Sequence, residues 1–349
     1  MSAKFDVVIG NPPYQKDTIG DQISFMPVYN EFMDAAYEVG KKAVLITPAR
    51  FLFDAGLTPK AWNQKMLDDP HLSVPIYVQK SGDLFPGTNI MGGIAVTYRD
   101  PSHQLGPVRV FVSFPELRSV MNKVESFEEG SFRELVGKRG AYRYTDLMHF
   151  ENPQAIEKMP GDARYVVSSN AFEVFPSLFL DEVPTDSKEY VSMLGLEGRE
   201  RKIKWVRRDY IADPGCLDRY KVSIPASRGH LGSLGDEPAL VVGHPEFLNP
   251  GVGATMTFLT IGAFESKGEA EACLKYVKSK FSRALLGVLK ATPNNPREKW
   301  KYVPLQDFTE NSDIDWSKSI PEIDQQLYAK YGLDDEEIEF IESHVKPMD

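Results

Sequence analysis

The sequence predicts an α/β protein with a partial open sheet at its amino end, a mixed, β-rich second domain and a helical tail. The first hundred residues alternate between apolar, strand-like runs and helix-like stretches, which is typical of a sheet covered by helices. Residues 165–262 contain short β-rich runs separated by Gly, Pro and Asp clusters, as in antiparallel sheets. We therefore expect three regions, 1–125, 126–300 and 301–349.

The first region is predicted element by element from apolar runs and their breaks. Phe5–Gly10 (FDVVIG) is apolar and ends at a Gly-Asn-Pro-Pro break, so we expect a buried strand that runs into a loop. The elements expected after it are a helix in Met26–Val39 ended by Gly40, a strand at Ala43–Thr47 ended by Pro48, a helix at Lys60–Asp68, and strands at Val74–Val78 and Gly93–Tyr98.

Three helices are predicted later in the chain. Glu116–Phe127 has helix-like spacing, and Glu269–Leu289 has the clearest amphipathic pattern, which predicts one long helix. In the tail, Asp334 is expected to cap a helix whose apolar stripe includes Ile338 and Ile341.

Composition excludes several classes of protein. The chain has 349 residues, of which 42% are hydrophobic and 26% charged, so wholesale disorder is not expected. It has no run of 18 apolar residues and no signal-peptide pattern, so we expect a cytoplasmic protein without a membrane partner. Two cysteines, Cys216 and Cys273, are too few for a disulfide framework, and no metal-binding motif is present.

The charge is unevenly distributed. The net charge is -10, and residues 305–349 alone contain 13 acidic and 3 basic residues, so residues 1–304 are neutral overall. Within them, residues 199–208 form a basic segment with a strand-like pattern around Trp205. Such a segment is either a solvated strand face or a surface that follows nucleic-acid phosphates. Its six cations are Arg199, Arg201, Lys202, Lys204, Arg207 and Arg208.

The residues most informative about chemistry are Asn11-Pro12-Pro13-Tyr14, here called the Asn11–Tyr14 motif, directly after the first predicted strand. Open α/β sheets bind ligands beyond the carboxyl ends of their strands. The Asn11 side-chain oxygen and the Pro12 carbonyl can accept both N–H groups of an exocyclic adenine amine, while Pro13 helps to keep the backbone rigid. The Tyr14 ring can stack on an extruded base.

The sequence FDVVIGNPPYQ resembles the catalytic motif of amino-methyltransferases that use S-adenosylmethionine. Much of the rest is similar to the C-terminal half of adenine-specific DNA methyltransferases of bacterial restriction–modification systems, especially the type fused to a nuclease. The segments that carry this similarity are Lys42–Leu52, Leu84–Tyr98, Trp300–Phe308 and Ile323–Ile341.

The resemblance implies a partial Rossmann-like methyltransferase sheet in residues 1–125, a target-recognition domain in 126–300 and an acidic helical tail. It implies methylation of adenine N6 in double-stranded DNA, with Asn11, Pro12, Pro13 and Tyr14 as the catalytic motif and Phe85 stacking on the opposite face of the base. The expected DNA contacts are the six cations of the basic segment together with Lys221 and Arg228. Methyl transfer of this kind needs no metal.

One part of the family pattern is not found. The glycine-rich loop that binds the cofactor in this family lies upstream of the Asn11–Tyr14 motif, and only ten residues precede Asn11 here. The only downstream candidate is the Gly-x-Gly in Asn249–Thr255, a weak match. We therefore expect a C-terminal portion whose S-adenosylmethionine site is incomplete, and which needs a chain or domain that supplies the N-terminal half.

Two other functions remain open at this point. The chain could be a DNA-recognition subunit that catalyses nothing itself. Alternatively, it could methylate a protein glutamine or a ribosomal RNA guanine, because enzymes with those activities also carry this motif. Such enzymes end about a hundred residues after it, whereas 335 residues follow Tyr14 here, and the long extension favours DNA.

Overall fold

The computed structural model describes residues 5–16, 26–159, 161–227, 234–235, 237–290 and 292–348. The chain divides into two compact units, Met1–Pro115 and Glu116–Asp349. The last 49 residues, expected from the sequence to form a separate region, belong to the second unit. Both units contain helices and strands, which confirms the predicted mixed α/β class.

The first unit is built on a four-stranded sheet with the order β1-β2-β4-β3. β1 and β2 are parallel, whereas β4 runs antiparallel to both β2 and β3. The elements of this unit are β1 (Phe5–Gly10), α1 (Tyr29–Val39), β2 (Gly40–Pro48), a 3₁₀ turn (Ala49–Phe53), α2 (Lys60–Leu67), β3 (Leu72–Val78), α3 (Ser81–Leu84) and β4 (Ile94–Arg99).

One face of this sheet is covered. Ala43 and Leu45 of β2 are buried, and α1 packs on the same two strands, β1 and β2, that it connects. Where α1 meets β2, a Cβ on Gly40 would lie 2.7 Å from the Val8 side chain, so only glycine permits this close approach. The predicted helix stop at Gly40 is confirmed.

The expectation of a buried first strand is wrong. β1 is an edge strand of the described sheet, and its side chains on one face, Phe5, Val7 and Ile9, are exposed. Ile9 is 76% exposed. An apolar strand is buried only where other elements pack on it, and none of the described residues covers this face of β1.

The second unit contains three small sheets, with the orders β10-β9-β12, β11-β6-β7 and β5-β8. Its strands are β5 (Arg143–Tyr144), β6 (Tyr190–Glu197), β7 (Glu200–Arg207), β8 (Ile211–Ala212), β9 (Tyr220–Pro225), β10 (Glu246–Leu248), β11 (Val252–Ala254) and β12 (Phe258–Phe264). Its helices are α4 (Pro115–Glu125), α5 (Asp146–Glu151), α6 (Gln154–Lys158), α7 (Ala171–Val174), α8 (Lys267–Lys278), α9 (Lys280–Gly287), α10 (Ile320–Lys330) and α11 (Asp335–His344).

The prediction of one long helix at 269–289 is wrong, because the structure has two helices in this stretch, α8 and α9. Ser279 between them is extended, with φ -58° and ψ 146°. Its side chain accepts a hydrogen bond from the Ser282 amide, so it caps α9. The apolar periodicity continues across this break, which is why the pattern alone predicts one helix.

The tail forms two capped helices. Asp334 caps α11 as predicted, and its carboxylate and that of Glu337 each accept the other residue's backbone amide hydrogen. Both tail helices lie in the second unit, where α10 packs on α8 and α9, and α11 packs on α9.

Candidate active site

The loops at one edge of the four-stranded sheet converge on the Asn11–Tyr14 motif. Because β1 and β2 are parallel, their carboxyl ends lie at the same edge. β4 is antiparallel to β2, so its first residue, Ile94, pairs with Pro48, and Val78 at the end of β3 pairs with Ile94. The loops after β1 and β2 and the connection from β3 to β4 therefore meet there.

The backbone around the motif is anchored on both sides. β1 delivers Asn11, and hydrogen bonds from the Val28 amide to the Tyr14 carbonyl (3.2 Å) and from the Lys16 amide to the Met26 carbonyl (3.0 Å) tie the motif to the start of α1. Asn11 is exposed and Tyr14 is half-buried. The Asn11 side chain is thus open to a ligand, while Tyr14 is partly covered by protein.

The Tyr14 hydroxyl is enclosed but makes no hydrogen bond within the described residues. Burial raises the pKa of Tyr14, and the neighbouring Asn11 side chain partly offsets that rise. The phenol is therefore neutral near pH 7, and this suits a ring that contacts an uncharged base rather than one that transfers a proton.

A pocket of about 360 Å³ lies beside Tyr14. This volume is within the range of roughly 300–1,000 Å³ that ligand pockets usually have. It is lined by Tyr14, Gln15, Pro27, Tyr29, Pro48, Arg50, Gly56, Leu57, Asn89 and Ile90. The lining combines aromatic and apolar surface with a few polar groups, as expected for a site that encloses a flat, hydrogen-bonding ring.

The pocket is also lined by residues that motif reasoning missed. Arg50 comes from the turn after β2, and Asn89 and Ile90 come from the connection between β3 and β4. All three lie inside the two segments whose resemblance was noted, Lys42–Leu52 and Leu84–Tyr98. The segments could thus be found from the sequence, but the residues that face the pocket could not.

Phe85, the expected stacking residue, is half-buried and does not line this pocket. It follows the short helix α3, and its amide donates to the Ser81 carbonyl (2.8 Å). Four residues after Phe85, Asn89 reaches the pocket instead. The loop that contains Phe85 therefore lines the pocket beside Tyr14 through Asn89 and Ile90, and not through Phe85.

Comparison with known proteins gives one family match. Residues 1–85 match the model of the Eco57I restriction-modification methylase family. This stretch includes the motif, Arg50 and the loop up to Phe85. The amino-terminal quarter of the chain is similar to restriction–modification methylases. No curated protein matches the chain.

Two solved structures are similar at low identity. One is the type IIL restriction-modification enzyme MmeI in complex with DNA, with 11% identity and a TM-score of 0.38, covering 97% of this chain and 56% of that chain. The other is the type IIG restriction endonuclease BpuSI, with 8% identity and a TM-score of 0.30, covering 98% of this chain and 54% of that chain. This chain thus spans about half the length of either enzyme.

The basic segment is largely neutralised by acidic neighbours in the second unit. Most of it forms β7, which pairs with β6. Five of its six cations make ion pairs: Arg201 with Glu246, Lys202 with Glu200, Lys204 with Asp181 and Glu197, Arg207 with Glu151 and Asp209, and Arg208 with Asp218 and Glu189. Arg199 and Lys202 are the exposed members, and Arg199 has no partner among the described residues.

The other two residues expected to contact DNA are Lys221 and Arg228. Lys221 is fully buried, and its ammonium donates to the carbonyls of Leu217, Arg219 and Asn249. Burial lowers the pKa of Lys221 to about 8. Lys221 therefore organises the chain around β9 and presents no charge to DNA. Arg228 lies outside the described residues.

The second glycine of the Gly-x-Gly in Asn249–Thr255 is closed to a cofactor. It lies in β11, and a Cβ on Gly253 would lie 2.6 Å from Met193 Sδ and 3.0 Å from the Tyr142 ring. Gly253 is thus needed for packing inside the second unit. Gly251, the first glycine, has a positive φ and open space where its Cβ would lie, so only one glycine of the pair remains accessible.

The described residues contain no group of three or more His, Cys, Asp and Glu side chains arranged to hold a metal ion. No helix among them is both long enough and apolar enough to cross a membrane.

Proposed function

We propose that this chain is the catalytic and target-recognition portion of a DNA adenine-N6 methyltransferase of a restriction–modification system. In this proposal a further chain or domain supplies the site for S-adenosylmethionine. The observation that carries the proposal is the Asn11–Tyr14 motif at the carboxyl end of β1, beside a pocket of about 360 Å³ and inside the stretch that matches the methylase family.

The chemistry proposed for the motif is positioning and hydrogen bonding. The lone pair of an adenine amine is delocalised into the ring, which makes the amine a poor nucleophile. Two acceptors, the Asn11 Oδ1 atom and the Pro12 carbonyl, hold its two N–H groups and favour a geometry in which the lone pair is available. The Tyr14 ring stacks on the base once it has left the helix.

The second unit is proposed to recognise the target. Of the cations in the basic segment, Arg199 and Lys202 are exposed and are the DNA contacts that we retain. Lys202 lies in β7, and Arg199 directly precedes this strand. Such contacts would position the protein on the DNA backbone, while other side chains would read the sequence through contacts with the base edges. The acidic partners of the remaining cations argue that most of β7 has a structural role.

An Asn11→Ala variant tests the motif. When the chain is co-expressed with the gene product that completes the system, this variant should lose methylation of host DNA by at least a hundredfold, because one of two amine acceptors is removed. Sequencing that detects N6-methyladenine measures the loss. DNA affinity should stay within about twofold, since Asn11 makes no phosphate contact in this proposal.

Asn122→Ala is the matched control, because Asn122 is exposed on α4 and lies outside the site. It should leave both readouts unchanged. Equal loss of methylation and DNA binding in Asn11→Ala would contradict the assigned role. Methyl label in ribosomal RNA or in a protein glutamine, with none in DNA, would favour the other substrates.

The misfit of the Gly-x-Gly favours one alternative, a recognition subunit without catalytic activity. Both proposals expect no tight binding of S-adenosylmethionine by the isolated chain, so micromolar binding in a calorimetric titration would contradict both. Methylation by the Asn11→Ala complex separates them. A wild-type level of methylation by the Asn11→Ala complex would establish the alternative.

A further inference from the structure

Arg50 reaches the pocket from the turn after β2 and is held in place along its length. Its Nε donates a 2.6 Å hydrogen bond to the Met91 carbonyl. Its aliphatic stem passes Gly92, where a Cβ would lie 2.9 Å from Arg50 Cγ, and Gly56, where a Cβ would lie 3.2 Å from Arg50 Cδ. Both glycines have a positive φ, so the backbone on each side is shaped to admit this side chain.

The charge of Arg50 has no counter-ion in the part of the chain that the structure describes. Other cations of the same unit do: Arg99 pairs with Asp69 at 2.6 Å, and Lys65 with Asp34 at 2.8 Å. Nε is one of five N–H donors of a guanidinium, and the remaining four have no protein acceptor here. A fixed guanidinium with free donors is complementary to a planar pair of anionic oxygens.

We propose that Arg50 binds a phosphate group flanking the adenine that occupies the pocket, and so positions the target nucleotide. The inference rests on the proposed function, because that function places an extruded nucleotide beside Tyr14. Adenine itself is uncharged, and the anion that necessarily accompanies it into the pocket is its own phosphate. Tyr14 would then contact the ring, and Arg50 the backbone of the same nucleotide.

The test compares two small probes that differ only in the phosphate, deoxyadenosine and deoxyadenosine 5′-monophosphate. Binding of each to the full chain is measured by NMR titration. The wild-type protein should bind the monophosphate about tenfold more tightly than the nucleoside, because a charge-assisted bidentate contact is added. Arg50→Gln should remove this preference and leave nucleoside affinity within twofold.

Two further variants keep the result interpretable. Arg50→Lys should retain part of the preference, because it keeps the charge but loses the planar fork. Arg109→Gln should retain all of it, since Arg109 is an exposed arginine of the same unit that does not line the pocket. Thermal unfolding confirms that each variant is folded. If Arg50→Gln does not fold, a wild-type preference in Arg50→Lys would still contradict the bidentate contact.

The outcomes separate this inference from the function on which it rests. Equal affinity of the wild-type protein for both probes would overturn the role of Arg50 and leave the base pocket intact. Failure to bind either probe would overturn the pocket itself. If Arg50→Gln keeps the preference but weakens S-adenosylmethionine binding in the completed system, the anion that Arg50 holds is the cofactor carboxylate, which also overturns the phosphate contact.

Discussion

Arg207 is fixed by several partners at once. Its guanidinium donates to Asp209 through Nε (3.0 Å) and a terminal nitrogen (2.6 Å), to Glu151 (2.5 Å) and to the Tyr210 hydroxyl (2.8 Å). These contacts, above all those with Asp209, raise the pKa of Arg207 further above its usual range. An arginine with this many partners is committed to holding β7 against α5, and DNA would have to displace those carboxylates.

The two exposed cations and the more enclosed Arg207 should therefore respond differently to mutation. Replacing both Arg199 and Lys202 by Gln should weaken DNA binding and make the slope of log affinity against log salt shallower by about 1 to 2, because each phosphate contact releases counterions. Arg207→Gln should leave that slope unchanged. It should instead lower the free energy of unfolding by about 1–3 kcal/mol, since Glu151 and Asp209 lose a largely buried partner.

Fluorescence anisotropy with a duplex oligonucleotide at several salt concentrations, together with urea denaturation, checks both outcomes. A shallower slope in Arg207→Gln, with unchanged stability, would show that this arginine faces DNA after all.

The distinction between exposed cations and cations enclosed by acidic partners could not be drawn from the sequence. The acids that neutralise the basic segment, such as Glu151, Asp181 and Glu246, are distant along the chain and are brought close only by folding.

At the scale of elements, local patterns predict much of the first unit. The Ala43–Thr47 run, the Gly40 helix stop and the strand-to-motif junction at Asn11 all depend on short-range features, and the structure contains each of them. The reversed direction of β4 depends on its long-range pairing with β2 on one side and β3 on the other, which no local pattern encodes. That reversal brings Asn89 to the pocket, so the pocket could not be assembled from the sequence.

The break between α8 and α9 shows the same limit on a smaller scale. Ser279 is fully buried, its hydroxyl donates to the Tyr276 carbonyl (2.7 Å), and it accepts from the Ser282 amide (3.1 Å). One polar side chain thus satisfies backbone groups at the end of one helix and the start of the next. Ser-based capping is a known local signal, but an unbroken apolar stripe outweighs it in a periodicity argument.

Removing this cap should be costly. Ser279→Ala leaves the Ser282 amide buried without an acceptor, so we expect the free energy of unfolding to fall by about 1–2 kcal/mol in urea denaturation. Ser343→Ala is the matched control. The Ser343 hydroxyl is exposed and bonds to carbonyls of its own helix and to the neighbouring His344 ring, so the change should stay within about 0.5 kcal/mol. A continuous, more stable helix in Ser279→Ala would show that the break is not needed.

For the whole molecule, a net charge of -10 suggests repulsion from DNA, but its location changes that conclusion. The excess acid lies in residues 305–349, and several of these carboxylates act inside the second unit. Glu337 pairs with Lys123 (2.6 Å), Glu342 with Lys280 (2.5 Å), and Asp324 accepts amides at the start of α9. The acidic tail is thus partly an internal scaffold, and the charge of the whole chain is a poor guide to what its surface binds.

The ionisation of Asp324 makes the stability of this part of the second unit depend on pH. Its two carboxylate oxygens accept the Lys280 amide (3.0 Å) and the Phe281 amide (2.9 Å), and the residue is 2% exposed. Burial raises the pKa of Asp324 to about 6, although the two amides oppose that rise. In the unfolded chain this pKa is near 3.8. The folded state therefore holds the proton more tightly, and the contribution of Asp324 to stability is greatest below pH 4 and declines as the pH rises to about 6.

Comparison with Asp324→Asn isolates this effect from other titrating groups. Asn cannot ionise, so the variant carries a constant offset, whereas the wild-type protein loses about 2 kcal/mol between pH 4 and pH 7 through this group. The stability of the variant relative to wild type should therefore rise by about that amount across this interval and stay level above it. Urea denaturation at several pH values measures the difference. A pH-independent difference would mean that the amides and the nearby Arg283 fully compensate burial, and that α9 is held by an ordinary ionised cap.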